Sequence, residues 1–394
     1  MPCSSNPNIL YAGSATAGAW RTNDKGDNWY LITQDLALNG VYAIEIDFTN
    51  PEIIYISGNG GIYKSYDGGA NWTVIGDAAF INLSPGISDM KLKPSNNLDL
   101  FVASDEGLFK SIDGGNNFTQ IMSGNFLEIE FHPNIPNTIY FVKQAGDSTL
   151  FYRSDDGGNT LTNFTNGWPN PNIVGGEQKR TEIAISPAAP DKIVALATGS
   201  ANGGSGLYGI YISDDKGENW TFQCCGPQPA GPPDSVNINM MGWQPDGSDD
   251  GGQYYYDLGL AVNPTNADII HVGGVQHWIS FDNGVSFTCP AKWSEPHKKG
   301  YVHADIHDIN YFGNDLWFAC DGGVFYSDNA GDSIYKKQYG IAGADFWGFG
   351  AGFKDGEVML GGTYHNGTML KAVSYTHLRA HETLRYLVCR LLLE

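Results

Sequence analysis

One short pattern, Ser/Thr-x-Asp-x-Gly-x-x-aromatic, returns along this 394-residue chain often enough to dictate its architecture. Copies begin at Thr22, Ser65, Ser111, Ser154, Ser213, Ser280 and Ser327. The third position is Asp24, Asp67, Asp113, Asp156, Asp215 and Asp282, with Asn329 in the last copy. The eighth is Trp29, Trp72, Phe118, Leu161, Trp220, Phe287 and Ile334. A carboxylate and a hydroxyl can both accept turn N–H groups, and the invariant glycine supplies a positive φ. These aspartates therefore read as turn residues, not as catalytic ones.

Each copy is framed by strand signals. In the second repeat Ala43 to Phe48 alternates apolar and polar, Ile53 to Ile56 is continuously apolar, and Gly61 to Ser65 and Trp72 to Ile75 flank the turn. Four strands in roughly 43–47 residues is the layout of a propeller blade, and two longer intervals mark insertions at 200–206 and 224–253. The expected fold is all-β: a β-propeller of four-stranded blades, about seven to eight repeats, the first and last incomplete. Asn8 to Tyr11 already matches a second strand, and Trp347 to Gly362 begins an eighth repeat, so residues 1–372 read as a propeller cut from a longer protein.

The turn resembles the Asp-box (BNR) repeat of sialidases, sortilin-type receptors and xyloglucanase-type glycoside hydrolases. That resemblance implies either an extracellular glycan- or protein-binding module or, alternatively, an inverting polysaccharide-degrading hydrolase. Sialidase activity is disfavoured. It needs three arginines on the substrate carboxylate, and outside residues 373–394 the chain has only Arg21, Arg153 and Arg180. Arg21 and Arg153 immediately precede turns, where Lys64 and Lys110 stand in other repeats.

Ligand sites in propellers lie at one mouth of the channel. There the segment Tyr301 to Asn310 carries His303, Asp305, His307 and Asp308, and strand alternation places His303, Asp305 and His307 on one face. Such a face suits a polar network, glycan contact, a divalent metal or acid–base work. Alignment puts His307 at the core-facing position that Ile44 holds in the second repeat. Asp257, before the sixth repeat's inner strand, pairs with Asp305 as the candidate catalytic carboxylates, and Trp243, Tyr255, Tyr256 and Trp347 are candidate sugar platforms. His365 and Asn366 lie in Gly361 to Thr368, which resembles a Gly-Gly-x-Gln-Asp-Asn-Gly loop of secreted bacterial propellers. The expected ligand is a polysaccharide or an extracellular protein, with no cofactor beyond a possible divalent cation.

The formal charge of −21 repels phosphate backbones and argues against a nucleic-acid partner. No apolar run is long enough for a transmembrane helix, and the resemblance implies a secreted or cell-surface location. Cys224 or Cys225 could pair with Cys289, or all could be small buried thiols. Residues 373–394 lack glycine and turn signals, resemble translated adapter sequence, and read as a non-native tail.

Overall fold

The computed structural model describes residues 2–3, 6–38, 40–171, 176–201, 204–225, 238–341, 346–351, 358–363 and 367–371. The chain divides into two compact units, Met1–Ile341 and Ala342–Glu394. The first holds seven antiparallel sheets in chain order, the blades of a β-propeller. Their innermost strands are Pro2–Cys3, Ile44–Ile46, Ile87–Lys93, Phe126–Phe131, Glu177–Ser186, Gly259–Val262 and Ile306–Phe312. Six sheets have four strands. Blade 6 has three, its outer edge reduced to a bridge between Ile279 and Thr288. The second unit contains Phe346–Ala351, Met359–Thr363 and Gly367–Lys371 as one antiparallel sheet.

All seven turns share one hydrogen-bond set. The leading Ser or Thr hydroxyl accepts from the glycine N–H at 2.8–3.1 Å. It donates to the Asp or Asn Oδ1 at 2.7–2.9 Å. That Oδ1 accepts the N–H four residues on. The glycines sit at φ between 76° and 95°, which is why no other residue type appears there. Such bonds favour the charged carboxylate: Asp24, Asp113 and Asp156 are pulled down to about 2, chiefly by Asn28, Asn117 and Thr160. The turn-residue reading of the aspartates agrees with this geometry.

The residue before each glycine is also left-handed, and in four turns its carbonyl serves the neighbouring blade. Arg21 Nη1 donates to Gly68 O at 3.2 Å, Lys64 Nζ to Gly114 O at 3.0 Å, Lys110 Nζ to Gly157 O at 2.7 Å, and Arg153 Nη1 to Lys216 O at 3.1 Å. The cations noticed before the turns are thus latches from one blade to the next. The turn aromatics reach the other way. Trp72 Nε1 donates to Ile32 O in blade 1, and Phe118 stacks on Phe80 at 4.2 Å. Apolar clusters fill the spaces between blades, as with Tyr55, Leu100 and Phe109 between blades 2 and 3.

The ring closes between blades 7 and 1. Trp29 N donates to Tyr339 O at 2.8 Å and its Nε1 to Lys337 O at 2.7 Å. Lys25 Nζ meets Asp315 at 2.7 Å and Tyr326 Oη at 3.0 Å. Leu10, Trp20, Trp29, Trp317, Val324 and Tyr326 pack into one buried cluster across the seam. The first blade is also not short of its innermost strand, because Pro2–Cys3 pairs with Asn6–Ser14. Cys224 is joined to its neighbour Cys225 and Cys289 is a free thiol near Ala291 O, so of the two readings the pairing of Cys289 with Cys224 or Cys225 is not made. Residues 373–394 lie outside the described residues, and among the described ones no helix is long and apolar enough to cross a membrane.

Removing one turn hydroxyl tests the shared geometry. Ser111→Ala strands the buried Gly115 N–H and should lower the unfolding free energy by about 1–3 kcal/mol in a urea titration. A change within about 0.5 kcal/mol, the scatter of neutral surface substitutions, would show that the turn does not carry stability.

Candidate functional site

The insertion before blade 6 folds back on itself. Gln253 N donates to Met241 O, and Tyr256 N and Asp257 N both donate to Gln253 O. This tight turn leaves Trp243, Tyr255 and Tyr256 43%, 74% and 49% exposed while Asp257 is wholly buried. Facing it are the entry to blade 7 and the turn after Asp315–Cys320. Asp321 N donates to Asp305 O at 3.2 Å and ties those two together.

Gln253 joins the two candidate carboxylates. Its Nε2 lies 3.3 Å from Asp257 Oδ2 and 2.5 Å from Asp305 Oδ1. Both oxygens on one nitrogen sit closer than the roughly 6.5–9.5 Å that an inverting pair leaves for water. The shorter spacing of a retaining pair would need Asp257 open to a sugar, and it is not. Asp257 is therefore not the second catalytic carboxylate of such a pair. Burial, then the neighbouring Asp305, pushes it up to about 7, and its Oδ1 has no hydrogen-bond partner. Burial, then Asp321, pushes Asp305 up to about 6.

His307 is held between two oxygens. Its Nε2 donates to Asp321 Oδ1 at 2.7 Å and its Nδ1 to Tyr256 O at 3.2 Å, so both ring nitrogens face acceptors. Burial opposes a positive charge on the ring, but the Asp321 bond and charge outweigh it, so the pKa is raised. Asp321 is in turn lowered: burial acts against its charge and is outweighed by the His307 bond. The Tyr256 ring meets His307 edge-on at 4.9 Å, and its hydroxyl donates toward Asp321 at 3.2 Å.

The structure does not place His303, Asp305 and His307 on one strand face. Asp305 takes φ 63°, which breaks the alternation, and the strand begins only at Ile306. His303 turns toward Ala304 O and lies against Gly322. The ladder slips between Ile306 and Asp308, so His307 occupies the irregularity while Ile306 and Ile309 fill the core. Among the described residues no three His, Cys, Asp or Glu side chains come together as a metal site. Asp308 belongs elsewhere: it is exposed on the inner strand of blade 7 and accepts from Asn310 at 2.7 Å. His365 and Asn366 lie outside the described residues.

Sequence reading missed Gln253 and Asp321, the two residues that assemble the cluster. It also missed a buried pair under blade 6. His271 Nδ1 bonds His277 Nε2 at 2.9 Å, and His271 Nε2 bonds the Tyr311 hydroxyl at 2.8 Å. Burial pushes both imidazoles down, His277 to about 3, so they are neutral packing groups between blades 6 and 7.

No protein-family model matches the sequence, and no curated protein is significantly similar to it. The fold is similar to two solved enzymes. The GH74 xyloglucanase of Xanthomonas campestris aligns over 93% of this chain and 58% of its own, with TM-score 0.67 and 15% identity. The GH74 enzyme of Niastella koreensis aligns over 97% of this chain and 59% of its own, with TM-score 0.67 and 18% identity. This chain thus spans about three-fifths of those enzymes' length. YCF48 bound to the D1 peptide aligns over 83% of this chain and 94% of its own, with TM-score 0.52 and 13% identity. At these identities the likeness establishes the propeller fold.

The buried acid gives a pH signature. Asp257 has a folded pKa near 7, above its unfolded value, so its contribution is full below about pH 4 and is lost as pH rises through 7. Asp257→Asn removes that loss. The variant should gain roughly 2–4 kcal/mol on wild type between pH 5 and pH 8, read from denaturant midpoints at each pH. A parallel pair of stability curves would mean that Asp257 is ionised throughout.

Proposed function

We propose that this chain is an extracellular polysaccharide-binding propeller of glycoside-hydrolase type. The observation that carries this reading is the mouth of blades 6 and 7, where the half-exposed Tyr256 ring meets the His307–Asp321 pair beside the half-buried Asp305, with Trp243 and Tyr255 exposed on the same insertion. Aromatic faces stack on sugar rings, and the carboxylates offer acceptors for sugar hydroxyls. The likeness to xyloglucanase propellers supports a polysaccharide over a protein ligand.

Within this reading Asp305 is the group suited to proton exchange with a glycosidic oxygen. Its pKa near 6 leaves part of the population protonated just below neutrality. Asp257 acts behind it through Gln253 and never touches the sugar. The left-handed backbone at Asp305, a conformation Asp tolerates, sets it apart from the strand that begins at Ile306.

Titration calorimetry and reducing-end assays against xyloglucan and other polysaccharides test both halves. Tyr256→Ala should weaken binding about tenfold, equivalent to about 1.4 kcal/mol. Asp305→Asn should abolish any hydrolysis while keeping binding within about threefold, because the amide retains the shape but not the proton. Absence of binding to every polysaccharide tested would sink the proposal. Binding without hydrolysis by the unaltered chain would reduce it to a recognition module.

A further inference from the structure

Gln253 stands where two acids meet, and its amide nitrogen is one-sided: it carries two hydrogens and accepts nothing. Nε2 donates to Asp305 Oδ1 at 2.5 Å and to Asp257 Oδ2 at 3.3 Å. The residue is held in place by its own main chain. Its N–H donates to Met241 O, and its carbonyl accepts Tyr256 N and Asp257 N. Gln253 and Asp257 are thus the two ends of one turn, while Asp305 arrives from the entry to blade 7. There Asp305 N donates to Val275 O at 3.4 Å, and Asp305 O accepts Asp321 N at 3.2 Å. Main-chain bonds therefore fix the amide and both of its partners.

The two contacts are unequal, and the inequality decides which acid is charged. A hydrogen bond to an ionised oxygen is shorter than one to a neutral acid, and the short contact is on Asp305. Burial points the same way. Asp257 is wholly buried and its Oδ1 has no partner, so a charge there would carry the desolvation of an unpaired oxygen. Asp305 is half-buried, with His303 and His307 on its own segment. Its other titratable neighbours are Asp257 and Tyr256 from the insertion, and Cys320 and Asp321 from the end of the strand Asp315–Cys320 and the turn after it. Two ionised carboxylates on one nitrogen repel, so the pair takes its first negative charge at Asp305 and resists the second. The order of ionisation agrees, Asp305 at about 6 and Asp257 at about 7.

We infer that Gln253 is a positioning residue: its amide assigns the negative charge of the Asp257–Asp305 pair to Asp305, holds Oδ1 of that carboxyl group, and leaves Oδ2 for proton exchange with a sugar oxygen. The inference rests on the polysaccharide reading for the identity of the partner, and adds to it the residue that sets the charge of the exchanging acid. Gln253 itself touches no ligand. A methionine at this position keeps the length of the side chain and removes both donors. A glutamate keeps the shape and presents only acceptors, or a shared proton, to two acids. Either change withdraws the bond that favours ionised Asp305, so Asp305 holds its proton more tightly. Asp257 does not act on that proton directly. In Asp257→Asn the amide still finds an oxygen, and since Asp257 is neutral while Asp305 titrates, Asp305 keeps its behaviour.

The test is a carboxyl carbon NMR titration of the complete chain labelled at aspartate, with the Asp305 resonance assigned by its loss in Asp305→Asn. Gln253→Met is expected to raise the Asp305 midpoint by about one pH unit, a proton held about tenfold more tightly. Gln253→Glu gives a second reading should Gln253→Met fail to fold, and is expected to move the midpoint the same way. Asp257→Asn is expected to leave it within about half a unit. The titration needs no ligand, so it decides the role of Gln253 whatever the polysaccharide assays give. Where hydrolysis is measured, the limb of the kcat/KM profile that reports Asp305 should move up with the midpoint, while xyloglucan binding to Gln253→Met stays within about threefold of wild type. An Asp305 midpoint that is unchanged or lowered in the Gln253 variants would overturn the assignment. So would an equal upward shift in Asp257→Asn, which would place the control in the buried acid and not in the amide.

Discussion

A cation one residue before a turn, reaching the left-handed carbonyl of the next blade's turn, is the contact on which the ring depends. Arg21, Lys64, Lys110 and Arg153 repeat it from blade 1 to blade 5. Its acceptor exists only because the turn holds two successive residues at positive φ. The turn in turn exists only because a hydroxyl, a carboxylate and a glycine recur at fixed spacing. Sequence pattern, local conformation and blade-to-blade assembly are therefore one chain of cause. Where the cation is missing the junction changes character. Lys192 bonds Asn283 Oδ1 from a different strand between blades 5 and 6, and between blades 6 and 7 the neutral His271–His277 pair packs against Gly331.

Much of this was legible in the sequence because it is local. The turn is written within eight residues, and the strands on either side declare themselves by alternation and by runs such as Ile53 to Ile56. Ring closure is not local. It rests on Trp29 finding Lys337 and on Lys25 finding Tyr326 and Asp315, partners some three hundred positions apart that no periodicity announces.

The candidate site divides along the same line. Residue types were readable, and Asp257, Asp305, His307 and Tyr256 do meet. Their arrangement was not, because period-two reasoning assumes an extended strand, and Asp305 in the left-handed region ends that assumption. Gln253 and Asp321 carried no signal of their own. A glutamine in a polar insertion and an aspartate in a Cys-Asp-Gly-Gly turn look like solvated loop residues until the fold brings them to the same few ångströms.

The direction of the latch has a consequence for how such rings grow. Blades 2, 3 and 4 each donate forward and accept from behind, so a copy inserted among them would find both of its junctions already provided. The seam obeys a different rule: Lys25, within the first turn, supplies the cation, and blade 7 supplies Asp315 and Tyr326. A ring built this way can gain or lose interior copies by duplication while its final member stays matched to its first. Its circumference is thus an inherited property of one junction, and the blades that flank it are the least interchangeable parts of the molecule.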